Sequence, residues 1–329
     1  MNSRLLLAAA AATLLATPAL AEDCGPLKSF GTIPLKEFPG RDAEFVPVQV
    51  GGLSKFLLLD TGAGITTLTR ATAAELKLEA SATDIRVYDI AGGSKSQSVS
   101  TSLSLGGLHA DHMSFILGTP YIDSVAEVST DVAGLLGTNI LDNYDASIDF
   151  GAHTLTLLDQ NHCDGHVVYW PERPLAIVPF KYSNEGLVVS VTMDGKEFEA
   201  IIDSGASNTT LYEQKAYAWY GIDVSKKPDG PDRVHRFGSL SIAGVAVSNL
   251  DVDLIQDKMD DAMNDWHTGT LLDRRFNSVD HPPMLLGMNV LRHLHVYIAF
   301  KEKKLYITPA AGTPAAATPA AAPAPAQQH

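Results

Sequence analysis

The stretch Phe56–Gly64 reads "FLLLDTGAG", and Glu199–Ser207 answers it with "EAIIDSGAS". Each is an apolar run delivering Asp, a hydroxyl residue and Gly: Asp60-Thr61-Gly62 and Asp203-Ser204-Gly205. One such tripeptide is an ordinary turn, because Asp and Gly both suit a tight reversal. Two in matched surroundings need another explanation.

The surroundings do match. A strand-like run precedes each motif, Val46 to Val50 in one copy and Val188 to Met193 in the other, followed by a Gly-containing turn and the apolar strand that ends in Asp. A short helix pattern follows, "RATAAELKL" or "EQKAYAWYGI". Further on come "TSLSLGGLHADHMSFIL" and "GSLSIAGVAVSNLDVDLI", alternating apolar residues around a Gly turn. Each copy then reaches an apolar-Gly segment, "GLLGTNIL" around Gly137 and "MLLGMNVL" around Gly287, before the closing strands "DASIDFGAHTLTLL" and "HVYIAFKEKKLYIT". Order of signals, not any single motif, predicts an internal repeat. The expected fold is all-β, two barrel-like lobes with short helices.

The chain therefore divides into residues 1–21 as a signal peptide, 22–42 as an N-terminal extension and 43–159 as a first lobe. An inter-lobe linker at 160–174, a second lobe at 175–308 and a tail at 309–329 complete it. The opening "MNSRLLLAAAAATLLATPALA" has Arg4, an apolar Leu/Ala run and a small-residue ending at Ala19, Leu20 and Ala21, the pattern of a cleaved export signal. The periplasm, or secretion, is the expected destination, with no stable membrane insertion once the signal is removed. The tail is almost wholly Ala, Pro, Thr and Gly, with no apolar period to bury. With 329 residues, 45% of them hydrophobic, two cores are within reach, and a net charge of −14 argues against a nucleic-acid partner.

Two cysteines, Cys24 and Cys163, suit one disulfide in an exported chain. Histidines cluster in "NHCDGH", "HADH" and "RHLH", yet none has the paired spacing of a zinc site or the H-E-x-x-H order of a metalloprotease. No metal and no cofactor is expected. G-x-S-x-G is likewise absent.

The order of apolar strand, D-[ST]-G-[AS], short helix, Gly-turn hairpin and L-L-G-x-N-x-L resembles the retropepsin-like aspartic proteases, in a tandem bacterial exported form, across most of Glu44 to Thr308. The resemblance implies hydrolysis of peptide bonds in an extended polypeptide substrate by Asp60 and Asp203. Two carboxyls held close cannot both ionise comfortably and so share a proton; aspartic proteases are the standard illustration of that effect. Gly62 and Gly205 permit close approach where a Cβ would collide. Thr61 and Ser204, by the same resemblance, reach across to the other lobe's backbone. The duplication already supplies both aspartates, so a monomer suffices.

A candidate flap lies in "RVYDIAGGSKSQSVS", around Tyr88, Ala91, Gly92 and Gly93. The second lobe's "DGPDRVHRFGSLS" is shorter and lacks the Gly-Gly tip, so one flap is expected. The polar insertion 256–283 reads as a solvated excursion or as a border of the cleft. Ala63 and Ala206 follow the motif glycines, where pepsin-like members of the resembling family carry Thr or Ser and retroviral-type members Ala. Without a hydroxyl donor there, both carboxyls stay higher, and the activity maximum is expected at about pH 5 to 6.5, with Ser207 as a possible substitute donor. Two rivals share the fold: a non-catalytic peptide-binding module, and a regulatory protease dedicated to one envelope protein.

Overall fold

The computed structural model describes residues 25–89, 92–118, 120–170, 175–183, 186–227, 233–256 and 281–310. The fold is mostly β, and its three sheets follow from where apolar runs can be buried. In the first lobe the strands lie in the order Lys36–Phe38, Arg41–Val50, Leu53–Leu59, Val132–Leu136, Thr67–Leu68, Leu108–Leu117, Gly92–Leu105, Ser81–Asp89. Arg41–Val50 also pairs with Gly92–Leu105, Val48 opposite Leu105, which closes six of these strands on themselves.

The second lobe repeats the order of those six closed strands: Gly186–Met193, Lys196–Ile202, Met284–Leu286, Thr210–Tyr212, Val245–Ile255, Val234–Ile242, preceded by Lys181–Ser183. Met193 opposite Leu240 supplies the matching closure. The senses of pairing agree as well. Leu53–Leu59 runs parallel to Val132–Leu136, and Lys196–Ile202 parallel to Met284–Leu286. Closure leaves few free edges, which limits sheet-to-sheet aggregation.

The strand that carries Asp60 shows why its sequence is a continuous apolar run. Leu57 and Leu59 face the large core, whereas Leu58 faces a second cluster with Phe38, Phe45, Ile122 and Val125. A strand covered on both faces needs apolar residues at every position rather than at alternate ones. Burying three leucines at roughly 1.5–3 kcal/mol each makes the base of the Asp60 loop stiff. Ala200, Ile201 and Ile202 do the same below Asp203.

The closing strands of the two copies do not stay within their lobes. Asp145–Asp149 pairs with Leu294–Ala299, Ile148 opposite Val296, at the centre of a six-stranded antiparallel sheet. Thr154–Leu158 and Lys304–Pro309 flank that pair, and Ser29–Pro34 and Ala176–Pro179 form the edges. Part of the N-terminal extension is therefore structural. Beneath the sheet, the Asp145 carboxylate accepts from His162 Nε2 at 2.6 Å, Tyr297 Oη at 3.0 Å and the Phe300 N–H at 3.1 Å, binding residues from both halves of the chain.

The predicted helices form at Arg70–Glu75, capped by Thr69 through the Thr72 N–H, and at Glu213–Tyr220, ended by Gly221 at φ 72°. Gly is favoured at that left-handed position because it lacks a Cβ. No helix among the described residues is long and apolar enough to cross a membrane. Most of the insertion 256–283 lies outside the described residues, as do Cys24 and the signal segment.

Candidate active site

Each aspartate sits just beyond the end of a buried strand, and a parallel neighbour fixes its backbone. The Asp60 N–H donates to Leu136 O at 3.1 Å and the Asp203 N–H to Leu286 O at 3.0 Å. The L-L-G-x-N segments do more than supply that acceptor. Asn139 Oδ1 receives both the N–H and the hydroxyl of Thr66 at 2.8 Å, and Asn289 Oδ1 receives those of Thr209 at 2.8 and 2.7 Å. Gly137 and Gly287 pack so tightly on the loops that an added Cβ would stand 2.7 Å from Ile65 C and 2.4 Å from Asn208 C. The recurring Gly and Asn thus clamp the loop that follows each aspartate.

The two loops are locked to one another by four reciprocal bonds. Thr61 Oγ1 donates to Ile202 O at 2.7 Å and accepts from the Ser204 N–H at 3.1 Å. Ser204 Oγ donates to Leu59 O at 2.7 Å and accepts from the Thr61 N–H at 3.1 Å. Both hydroxyl residues are buried, so each bond is made away from competing water.

That lock brings the carboxyls together. A Cβ placed on Gly62 would stand 2.5 Å from Asp203 Cγ, and one on Gly205 would stand 2.5 Å from Asp60 Cγ. Each carboxyl is also held by its own loop: Asp60 Oδ1 accepts from the Gly62 N–H at 3.0 Å, and Asp203 Oδ1 from Gly205 and Ala206 N–H at 2.9 and 3.1 Å. Among the described residues no hydroxyl donates to either carboxylate, Ser207 included.

Burial, then the charge of Asp203, pushes the Asp60 carboxyl well above the ordinary carboxylate range. Asp203 is also raised by burial, but backbone N–H bonds and the positive charge of Arg41 work against the rise. Both carboxyls are therefore raised, and burial together with their mutual repulsion disfavours ionising both at once. Such a pair can accept a proton at one carboxyl and donate one at the other.

Arg41 and Tyr121 were not among the residues singled out from the sequence. Arg41 Nη2 donates to Tyr121 Oη at 2.8 Å and to Gly205 O, in the other lobe's loop, at 3.2 Å. The Tyr121 phenol is raised by burial and by the charge of Asp60. No local signal marks either residue: Arg41 sits in a polar hairpin and Tyr121 in a short helix, Pro120–Val125.

The candidate flap is an antiparallel hairpin in which Tyr88 pairs with Gly93 and Asp89 with Gly92. Ala91 lies outside the described residues. The second lobe's Val234–Ile242 pairs directly with Val245–Ile255, and no strand equivalent to Ser81–Asp89 occurs among the described residues.

The histidine motifs stand apart from the dyad. His295 of "RHLH" is buried in the shared sheet, bonded to Ser147 Oγ at 2.8 Å and stacked 4.0 Å from the Trp170 ring. His162 serves the Asp145 network. Elsewhere Glu37, Glu44 and His153 bring ligand-type atoms within 4.8 Å of one another. His153 Nδ1 and Glu44 Oε1, 2.6 Å apart, already engage each other there in a hydrogen bond. No described cysteine is a free thiol.

Comparison with known families addresses the first lobe. Residues 46–140 match the family model described as aspartyl protease. The aspartyl protease match takes in Asp60, the hairpin Ser81–Asp89/Gly92–Leu105 and the Leu136-Gly137 clamp. Asp203 and the second lobe lie beyond it and are related to the matched part by the shared order of their six closed strands. No curated protein matches the chain.

Proposed function

We propose that the chain is an exported aspartic endopeptidase that cuts extended polypeptide segments with Asp60 and Asp203 acting as a pair on water. The observation that carries this reading is the reciprocal seating of each carboxyl against the other loop's glycine. Asp203, as carboxylate, takes a proton from water as its oxygen attacks the scissile carbonyl. Asp60 donates its proton to the carbonyl oxygen, giving a neutral tetrahedral diol. Asp203 then returns its proton to the leaving nitrogen while Asp60 recovers one from the diol as the C–N bond breaks. Protons balance over the cycle, and the rate is expected to need both groups.

The hairpin Ser81–Asp89/Gly92–Leu105 closes over the substrate and excludes water. Export through residues 1–21 places this activity in the periplasm or outside the cell, with Cys24 and Cys163 joined and one chain sufficient for turnover. The test is cleavage of an unstructured polypeptide by the mature chain, with products identified by mass spectrometry. Cleavage that Asp60→Asn and Asp203→Asn each abolish supports the reading. Peptide binding without cleavage supports the non-catalytic rival, and a peptide library separates a dedicated protease from a broad one by the narrowness of its consensus.

A further inference from the structure

The two catalytic loops are near copies, and copies alone would leave the aspartates equivalent. Thr61 and Ser204 make the same reciprocal bonds, and the Gly62 and Gly205 N–H groups play the same part for Asp60 and Asp203. Arg41 has no such counterpart among these contacts. It begins the strand Arg41–Val50 in the first lobe, yet its Nη2 crosses to the carbonyl of Gly205 in the second. Tyr121 Oη is its other acceptor, on the first-lobe side. Its Nε is buried with no partner among the described residues. A guanidinium placed for its own hydrogen bonds would be expected to satisfy that donor, since a buried polar group left unpaired is costly. Position next to the dyad loop explains the arrangement better.

We propose that Arg41 is a positioning residue that makes the dyad unequal, holding the negative charge on Asp203 and leaving the shared proton on Asp60. This deepens, and rests on, the reading of the two aspartates as a pair. Among the described residues, the titratable and charged groups that bear most on the pair are the aspartates themselves, Arg41 and Tyr121; the other leading contacts are backbone N–H groups of Gly62, Ala63, Gly205 and Ala206. Of these, Arg41 alone carries a positive charge, and it opposes the rise of Asp203. Tyr121, kept neutral by burial, fixes the guanidinium from the first-lobe side. The consequence is a division of labour: Asp203 is ready to take a proton from water, while Asp60 is ready to give one to the carbonyl.

The experiment is a carboxyl titration followed by 13C NMR on the mature chain labelled at aspartate, with the dyad signals assigned through Asp60→Asn and Asp203→Asn. It is run on the wild type, on Arg41→Met, which keeps length but not charge, and on Arg41→Lys, which keeps charge. In Arg41→Met the Asp203 signal is expected to titrate higher by about one pH unit, the scale of a removed neighbouring charge. Arg41→Lys should stay closer to wild type, and the acidic limb of the cleavage profile should move with the Asp203 signal. An unmoved Asp203 titration in Arg41→Met overturns the proposal, as does an equal displacement in Arg41→Lys, which would mark shape rather than charge. Should Arg41→Met fail to fold, Tyr121→Phe loosens the same guanidinium and should move Asp203 upward by a smaller step; no movement there also overturns it. The NMR titration needs no turnover, so a wild type that fails to cleave any polypeptide counts against the protease reading and not against the role of Arg41.

Discussion

Gly62 and Asp203, 141 residues apart in sequence, are packed so that a Cβ on the glycine would stand 2.5 Å from the aspartate's carboxyl carbon, and Gly205 and Asp60 mirror them. Neither glycine can acquire a side chain without driving the loops apart. Gly62→Ala and Gly205→Ala are expected to destabilise the fold by about 1–3 kcal/mol, as overpacking does. Activity should fall about 100-fold or more, because displacements near 1 Å are enough to disrupt reacting groups. Thermal unfolding and kcat/KM of the two variants check this, and near-wild-type activity in either would contradict the packing.

The lock between Thr61 and Ser204 should behave as one unit. Ser204→Ala removes the donor to Leu59 O and the acceptor for the Thr61 N–H, while Thr61→Val removes the mirror pair. Each is expected to cost about 1–3 kcal/mol, the scale of stranding buried backbone groups. Denaturant unfolding of both variants and the double variant should give a coupling energy of about 0.5 kcal/mol or more. Strict additivity would mean that the four bonds do not act together.

Asp60 makes stability depend on pH in a direction opposite to that of most carboxylates. Its folded carboxyl is raised by burial and by Asp203, so the stability it contributes is complete below its unfolded value and is lost as pH rises through the folded one. Asp60→Asn removes the group that must ionise. Its melting temperature should exceed that of the wild type by a few degrees at neutral pH, with the gap shrinking toward pH 4. Melting curves across that range test the sign; a variant less stable at pH 7 than at pH 4 relative to wild type would reverse it.

The same elevation bears on the rate profile. With no described hydroxyl donating to either carboxylate, the one-proton window should lie toward mild acidity, giving a bell with its maximum at about pH 5 to 6.5. Cleavage rates measured between pH 3 and 8 decide, and a maximum below about pH 4 would contradict the account.

How much of this was legible beforehand depends on whether a feature repeats. Asp60 and Asp203 stood out because each ends an apolar run and each is followed by the same three kinds of residue. Duplicated helices, Gly turns and L-L-G-x-N segments were readable on the same ground, although the reason for the Asn, its grip on Thr66 or Thr209, needed coordinates. The closing strands were visible as strands, but their alternation is equally consistent with pairing inside a lobe or across lobes. Only the register of Asp145–Asp149 against Leu294–Ala299 distinguishes these. Arg41 was hidden for the opposite reason. It occurs once, in a stretch with no chemical pattern, and its meaning comes wholly from contacts with residues 80 and 164 positions away.

The most direct test of the central claim is the turnover of an unstructured polypeptide by the mature chain, measured beside Asp60→Asn and Asp203→Asn with folding verified by circular dichroism. The account predicts clear cleavage by the wild type and loss of at least about 1,000-fold in each variant, since half of a shared-proton pair cannot complete the cycle. Substantial cleavage by either folded variant would contradict it.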